Sequence, residues 1–479
     1  MKKLFILALA LISLAANAVE KDGFSYKFEI EGIANDTVYL ANYFGGKLYY
    51  NDTAVVDGSG KFEFVGNETK PGGIYAVILP DRKTFFEVVV TEPTFSAKTK
   101  STNPEENITF KGSKENAAFY EYKNFLVENR KTGMKLQEKL KASTDDKEKE
   151  GINTELKEIN NNVSKFQNDF FEKYDGLFIA KVMKAAVDPV VPEDIKANDS
   201  LAYVYYKAHY FDNVDMKDDR MLRSPILHNK IDYFLTKLTP QIPDSICSSA
   251  MHMTNLTNDD SEIFKYIVQY TTTTYEKSKV MGMDAVFVCM AKNYYLNDKA
   301  YWMDSTKLAD VKERYEVLKN LTVGTYSDNI TLMDTAGKWQ SLYDVESEFT
   351  VLFFWDPNCG HCKKEVPKLK KFYAENKDKG VEVFAVCTDF ETPDWKKFVK
   401  EKNLDFINVS DNPEVNKNAW KYIQSGETTL SSLNFRDYWD IFSTPQYYLL
   451  DKDKKIIAKR LNADQLEDFI QQKRAQQAK

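Results

Sequence analysis

Cys359 and Cys362 stand three residues apart in the run Trp355-Asp356-Pro357-Asn358-Cys359-Gly360-His361-Cys362, between an apolar strand-like stretch and a helical pattern. A dithiol at a strand–helix junction is suited to redox exchange. The N-terminus of a helix carries partial positive charge and free N–H groups, which stabilise a thiolate. Cys359 lies at that mouth and is the candidate nucleophile. Cys362, one turn further in, is placed to close a disulfide with it. His361 supplies a second lever, because a nearby imidazole or imidazolium favours thiolate over thiol. A more stable thiolate stabilises the reduced form and makes the disulfide a stronger oxidant.

Other uses of this spacing fit less well. Zinc needs about four ligands, and no second CxxC or HxxxH accompanies the first. Covalent haem needs CxxCH, and Lys363 follows Cys362. A peroxidatic cysteine needs Thr or Ser three residues before it, and Asp356 precedes Cys359 at that distance. A purely structural bridge over so short a loop removes little chain entropy. The chain has five cysteines, an odd number too sparse for a disulfide scaffold. Cys247, Cys289 and Cys387 read as buried structural thiols, with a Cys247–Cys289 bridge left open. His209, His228 and His252 are isolated and read as structural.

The elements that must position the dithiol come last in a chain of 479 residues, long enough for about three domains at ~150 residues each. Hydrophobic residues make up 43%, so packed cores are expected rather than disorder. With 72 acidic against 65 basic residues, the chain is not expected to bind nucleic acid. Residues 1–18 read as a signal peptide. Lys2 and Lys3 precede the apolar run 4–16, and Ala16-Asn17-Ala18 is a small-x-small cleavage site. The run is shorter than the ~20 residues a spanning helix needs, so an exported, soluble, periplasmic protein without stable membrane insertion is expected. Its mature charge would be −9, since 63 basic residues remain against 72 acidic ones.

Residues 19–112 are expected to form a small antiparallel β-sandwich or barrel. Phe24, Tyr26, Phe28 and Ile30 alternate with polar residues. Further strands are expected at 37–43, 47–56, 61–65, 73–79, 84–91 and 107–111. Asp57-Gly58-Ser59-Gly60 marks a hairpin. Residues 113–320 read as an α-helical domain. Ile152, Leu156, Ile159, Val163, Phe166 and Phe170 form one helix stripe, the second arm of a long hairpin broken at 144–150. More helices are expected at 177–187, 199–211, 225–238, 260–279, 283–296 and 307–320. Residues 321–479 alternate strands (350–355, 381–387, 405–409, 446–450, 455–460) with helices (360–376, 393–403, 412–423, 463–474), an α/β layer with parallel pairing. A short hairpin, 330–333 with 338–342, precedes them.

This last third resembles a thioredoxin-fold domain of the exported TlpA/ResA-like group. Trp355 stands four residues before Cys359, as in that family's W-x-x-x-C. Pro367 stands eight after it, and Thr444-Pro445 precedes a strand, where the family carries its cis-proline loop. The Cys-Gly-His-Cys sequence is similar to the active site of protein disulfide isomerases, which implies a potential of about −180 mV. The whole chain resembles large Gram-negative envelope proteins that join a β domain and a helical middle to such an end. The resemblance implies Cys359, Cys362 and His361 as catalytic residues and Cys359–Cys362 as the redox-active disulfide. It implies Trp355, Thr444 and Pro445 as substrate-binding. It also implies client proteins with disulfides or thiols, a membrane-bound redox partner, and no metal or other cofactor. Two positions depart from the pattern. Asn358 replaces the Trp that often precedes the first cysteine, and Phe353 replaces a buried acid that serves proton transfer in many thioredoxins. Asp356 and Glu365 are substitutes by proximity and otherwise read as surface acids. The rival reading is an envelope binding or scaffold protein in which the dithiol is secondary.

Overall fold

The computed structural model describes residues 23–389 and 392–477. The expected signal peptide, 1–18, lies outside the described residues. The chain forms two compact units that meet in sequence at Leu238 and Thr239. That boundary falls inside the stretch 113–320 expected to be helical throughout.

In the first unit, eight strands form two four-stranded sheets. They are β1 (Phe24–Glu31), β2 (Thr37–Phe44), β3 (Lys47–Val55), β4 (Lys61–Gly66), β5 (Gly73–Ile78), β6 (Phe85–Val90), β7 (Thr94–Lys100) and β8 (Thr109–Lys111). The sheet orders are β4-β1-β7-β8 and β3-β2-β5-β6. The inward faces share a core that includes Phe28, Phe62, Phe64, Phe86 and Phe95. One pair departs from the antiparallel expectation, since β1 and β7 run parallel. β7 itself has no counterpart among the expected strands, because its inward positions, Phe95, Ala97 and Thr99, alternate only weakly in hydrophobicity. In the Asp57–Gly60 turn, Asp57 accepts the N–H groups of Ser59 (2.8 Å) and Lys61 (2.9 Å). Gly60 has a φ of +82° and lies against the Ile30 carbonyl, where a Cβ would clash.

The helices Lys114–Ala142 and Asp146–Lys173 form the expected hairpin. Asp145 caps the second by accepting the Lys147 N–H at 2.7 Å. The stripe faces inward, with Phe166 stacked on Phe125 at 3.8 Å between ring centroids and Phe170 buried.

The second unit begins with the helices Pro243–Asn255, Glu262–Glu276, Asp284–Met290 and Ser305–Leu318. The first of these was not expected as a helix. Its Ser- and Thr-rich sequence has low helix propensity, and Pro243 at its first position marks only the start. A seven-stranded sheet follows: β9 (Thr331–Asp334), β10 (Trp339–Ser341), β11 (Phe349–Trp355), β12 (Val381–Cys387), β13 (Ile407–Ser410), β14 (Gln446–Asp451) and β15 (Ile456–Lys459). Its order is β10-β9-β13-β12-β11-β14-β15. β11 pairs in parallel with β12 and antiparallel with β14. Two short helices, Leu430–Leu433 and Phe435–Tyr438, occupy a stretch for which no element was expected.

Every residue of β11 is buried, because helices cover both faces of the sheet, as parallel sheets require. Val351, Phe353 and Trp355 face a layer that includes Leu369 of the helix Gly360–Asn376 and Leu466 of the helix Ala463–Gln477. Leu352 and Phe354 face Phe435 and Trp439 on the other side. β15 is not left as a bare edge. Gly324 N–H donates to Ile456 O (2.7 Å), and Ile456 N–H donates to Thr325 O (2.9 Å). Lys459, buried, forms an ion pair with buried Asp284 and donates to Leu321 O. Burial pushes the Lys459 ammonium pKa down, and Asp284 partly opposes this. Removing one partner alone would strand a buried charge. The helix Asp284–Met290 and the segment 321–325 are therefore bound to the sheet by charge and main chain together. Among the described residues, no helix is long and apolar enough to cross a membrane.

Candidate active site

The dithiol lies where β11 ends and the helix Gly360–Asn376 begins. Asp356 shapes the junction. Its Oδ1 accepts the Asn358 N–H at 2.6 Å, and its carbonyl accepts the Cys359 N–H at 3.2 Å. Cys359 is the residue just before the first helical turn, with extended backbone angles. Its side chain is half-buried, whereas that of Cys362 is completely buried.

The two thiols are held in opposite states. For Cys359, partial burial acts against ionisation. The N–H groups of Cys362 and His361, the Thr444 hydroxyl and the Cys362 thiol outweigh it, so the pKa falls below its ordinary value. For Cys362, burial dominates. Contacts with the Asp356 backbone and the Thr444 side chain offset it only in part, and the neighbouring Cys359 adds to it, so the thiol is pushed up to about 12. The pair therefore divides into an outer thiol that ionises more readily and an inner thiol that holds its proton.

The remaining expected site residues are distributed unevenly. Thr444 is in the site, where its carbonyl accepts the Cys359 thiol at 3.4 Å. The Thr444–Pro445 peptide is cis. His361 is exposed on the first turn, and its contribution to the Cys359 sulfur comes through its backbone N–H. Trp355 is 0% exposed, tilted against Phe398 with centroids 5.2 Å apart. As the last residue of β11 it follows the strand's alternation into the core. It forms the floor of the site, and the expectation that it touches substrate is corrected on that ground. Cys387, at the end of β12, is buried, as expected, with its pKa pushed up to about 12 by burial. Cys247 and Cys289 form a disulfide between the helices Pro243–Asn255 and Asp284–Met290. The reading of both as free buried thiols gives way to the bridge that was left open.

Glu365 is only partly exposed and is more than a surface acid. Its Oε2 accepts the Tyr447 hydroxyl at 3.4 Å and the Ala463 N–H at 3.1 Å, and Lys368 Nζ lies 3.3 Å from Oε1. Tyr447 is buried, and its phenol pKa is raised first by burial and then by the negative charges of Glu365 and Cys362. Tyr447 thus stands within electrostatic reach of both the inner thiol and the carboxylate. Its ring packs on Phe353 at 4.6 Å, the position where many thioredoxins carry their acid. One sequence signal pointed to Glu365, namely that it lies three residues after Cys362 and so on the same helix face. Tyr447 sits on another element, and no spacing linked it to Glu365.

Residues 323–459 match the model of the AhpC/TSA family. Residues 26–119 and 143–320 match two domains of unknown function, DUF4369 and DUF5106. The chain is 27% identical over 156 residues to the thiol-disulfide oxidoreductase ResA of Bacillus cereus, covering 32% of this chain and 79% of that protein. It is 30% identical over 122 residues to ResA of Halalkalibacterium halodurans, covering 24% of this chain and 69% of that protein. A crystal structure of a thioredoxin-like protein from Bacteroides caccae aligns with a TM-score of 0.44 at 20% identity, over 60% of this chain and 97% of that one.

Proposed function

Because the chain belongs, through its C-terminal third, to the ResA thiol–disulfide oxidoreductases, we propose that it exchanges disulfides with client proteins in the periplasm through Cys359-Gly360-His361-Cys362. The observation that carries this reading is the split between the lowered Cys359 thiol and the raised Cys362 thiol against Thr444.

In the reducing direction, the Cys359 thiolate attacks one sulfur of a client disulfide. A Cys359–client bond forms, the client S–S bond breaks, and the departing client sulfur takes a proton. The Cys359 charge, which helps to hold the Cys362 proton in place, disappears in that step. Cys362 then gives up its proton and attacks the Cys359 sulfur. The Cys359–Cys362 disulfide forms, and the second client sulfur leaves as a thiolate. Two electrons pass from the dithiol to the client. We assign the proton path to Tyr447, which is within electrostatic reach of the inner thiol, and to Glu365, which accepts the Tyr447 hydroxyl. Run in reverse, the same steps oxidise a client. A membrane-bound redox partner recharges the dithiol. The signal-like residues 1–18 support export, and the Cys247–Cys289 bridge is consistent with an oxidising compartment.

Insulin-disulfide turnover by the full chain tests the reading. The wild type should turn over insulin, and Cys359→Ser should fall to background. A wild-type rate no faster than that of Cys359→Ser defeats it.

A further inference from the structure

Among the described residues, no large apolar side chain is more exposed than Phe442, at 86%. It lies two residues before Thr444, whose carbonyl meets the Cys359 sulfur. Two residues of chain span at most about 7 Å, so the backbone of Phe442 lies within that distance of Thr444, on the segment that leads into the dithiol site. The segment leading to it is firmly held. Trp439 is buried, and its carbonyl accepts the Tyr448 hydroxyl at 2.7 Å. Ile441 N–H donates to Arg436 O at 2.8 Å. The Arg436 guanidinium bonds Asp411 at 3.0 Å and the Thr388 carbonyl at 2.6 Å.

The ring also has a support from outside the thioredoxin-like layer. Arg314, on the helix Ser305–Leu318, places its guanidinium carbon 5.7 Å from the Phe442 ring centroid. Asp440 and Glu276 pair with the same guanidinium, Glu276 at 3.6 Å. The charge of Arg314 is thereby already balanced within the chain. The ring offers an incoming polypeptide an apolar surface rather than a free cation.

We propose that Phe442 is a specificity-determining residue for the exchange reaction, taking a large apolar side chain that flanks the client's reacting cysteine, and that Arg314 is the positioning residue that holds the ring there. The inference rests on the function proposed above and extends it from the dithiol to the client sequence. A client cysteine joined to Cys359 lies beside Thr444, so its neighbours one or two positions away come within reach of the Phe442 ring. Burial of apolar surface there favours Leu, Phe, Met or Tyr at those positions over Ser or Gly. The helical segment before the thioredoxin-like layer thereby acquires a part in client choice.

The test uses the full chain and two peptide disulfides of equal length, one with Leu and one with Ser on each side of the reacting cysteine. Phe442→Ala should lower kcat/KM on the Leu peptide by about tenfold, carried by KM, and change the Ser peptide by less than about twofold. Phe442→Leu should recover most of the loss. Arg314→Gln should give a smaller loss with the same preference for the Leu peptide. An equal fall on both peptides, or no change on either, overturns the proposal. If the wild type reduces neither peptide, the exchange reading itself fails before Phe442 is at issue.

Discussion

Two cysteine pairs occupy the same unit and have opposite fates. Cys359 and Cys362 sit at a helix mouth, one half-exposed and one buried, with the outer thiol pKa lowered and the inner one raised. Cys247 and Cys289 join two helices across 42 residues of chain. The first pair closes a short loop, worth about 2 kcal/mol in the loop-entropy model. The second closes one worth about 4 kcal/mol in the loop-entropy model. On the proposed function the first pair opens and closes with each exchange, while the second stays closed. The helix that carries Cys289 also begins with Asp284, the partner of Lys459 on β15, so this bridge secures an element on which the sheet edge depends. The contrast comes from surroundings, since the residue type is the same at all four positions.

The largest effect should separate the pairs by activity. Cys359→Ser should remove insulin turnover by on the order of 10³-fold or more. Cys247→Ala combined with Cys289→Ala should leave it within about twofold under conditions where the protein is folded. Loss of turnover in the double variant at unchanged stability would make the second pair redox-active and end the contrast. Stability should separate them in the other direction. Urea unfolding of Cys247→Ala/Cys289→Ala should show a loss of about 3–4 kcal/mol, against at most about 2 kcal/mol for opening the Cys359–Cys362 pair. Similar losses would mean that both bridges are structural.

A smaller effect concerns the inner thiol. Glu365→Gln should lower kcat by about 10²-fold at unchanged KM. An unchanged kcat would leave Glu365 as packing alone. The smallest effect is in the pH dependence of the reduced protein. Folding raises the Cys362 and Cys387 thiols from 9.0 to about 12, so the folded state holds their protons longer than the unfolded one. Their contribution is present below pH 9 and is lost as the pH climbs from about 9 towards 12. Cys359 acts with the opposite sign, since its lowered pKa gives stability above 9 that is lost as the pH falls through the folded value. Urea midpoints at pH 8 and pH 10 should fall with pH, and fall less in Cys387→Ala. In the same protein, iodoacetamide at neutral pH should label Cys359 ahead of Cys362 and Cys387.

Much of the last third was legible because its signals are local. The run Val351–Trp355 is continuously apolar, and its burial on both faces follows from that. The CxxC at its end and Thr444-Pro445 downstream are readable without coordinates. The helix Pro243–Asn255 was not legible, because its Ser and Thr residues are weak helix formers and packing decides its state. For that reason Cys247 could not be placed opposite Cys289. The strand Thr94–Lys100 was missed on similar grounds, as its pairing with β1 supplies what its alternation lacks.

The order of residues around Cys359 determined that a dithiol would stand at a helix N-terminus, since a strand, a tight turn and a helix follow from apolar runs and spacing within twenty residues. Tertiary structure alone decided how that dithiol is tuned and presented. It buried Cys362 and left Cys359 half-exposed, put Trp355 beneath the site instead of on it, and brought Tyr447 and Glu365 together from β14 and the active-site helix. It also set Arg314 beside Phe442 from a helix more than a hundred residues earlier in the chain. Burial, and contacts between residues distant in sequence, depend on which elements pack together, and no spacing along the chain encodes that.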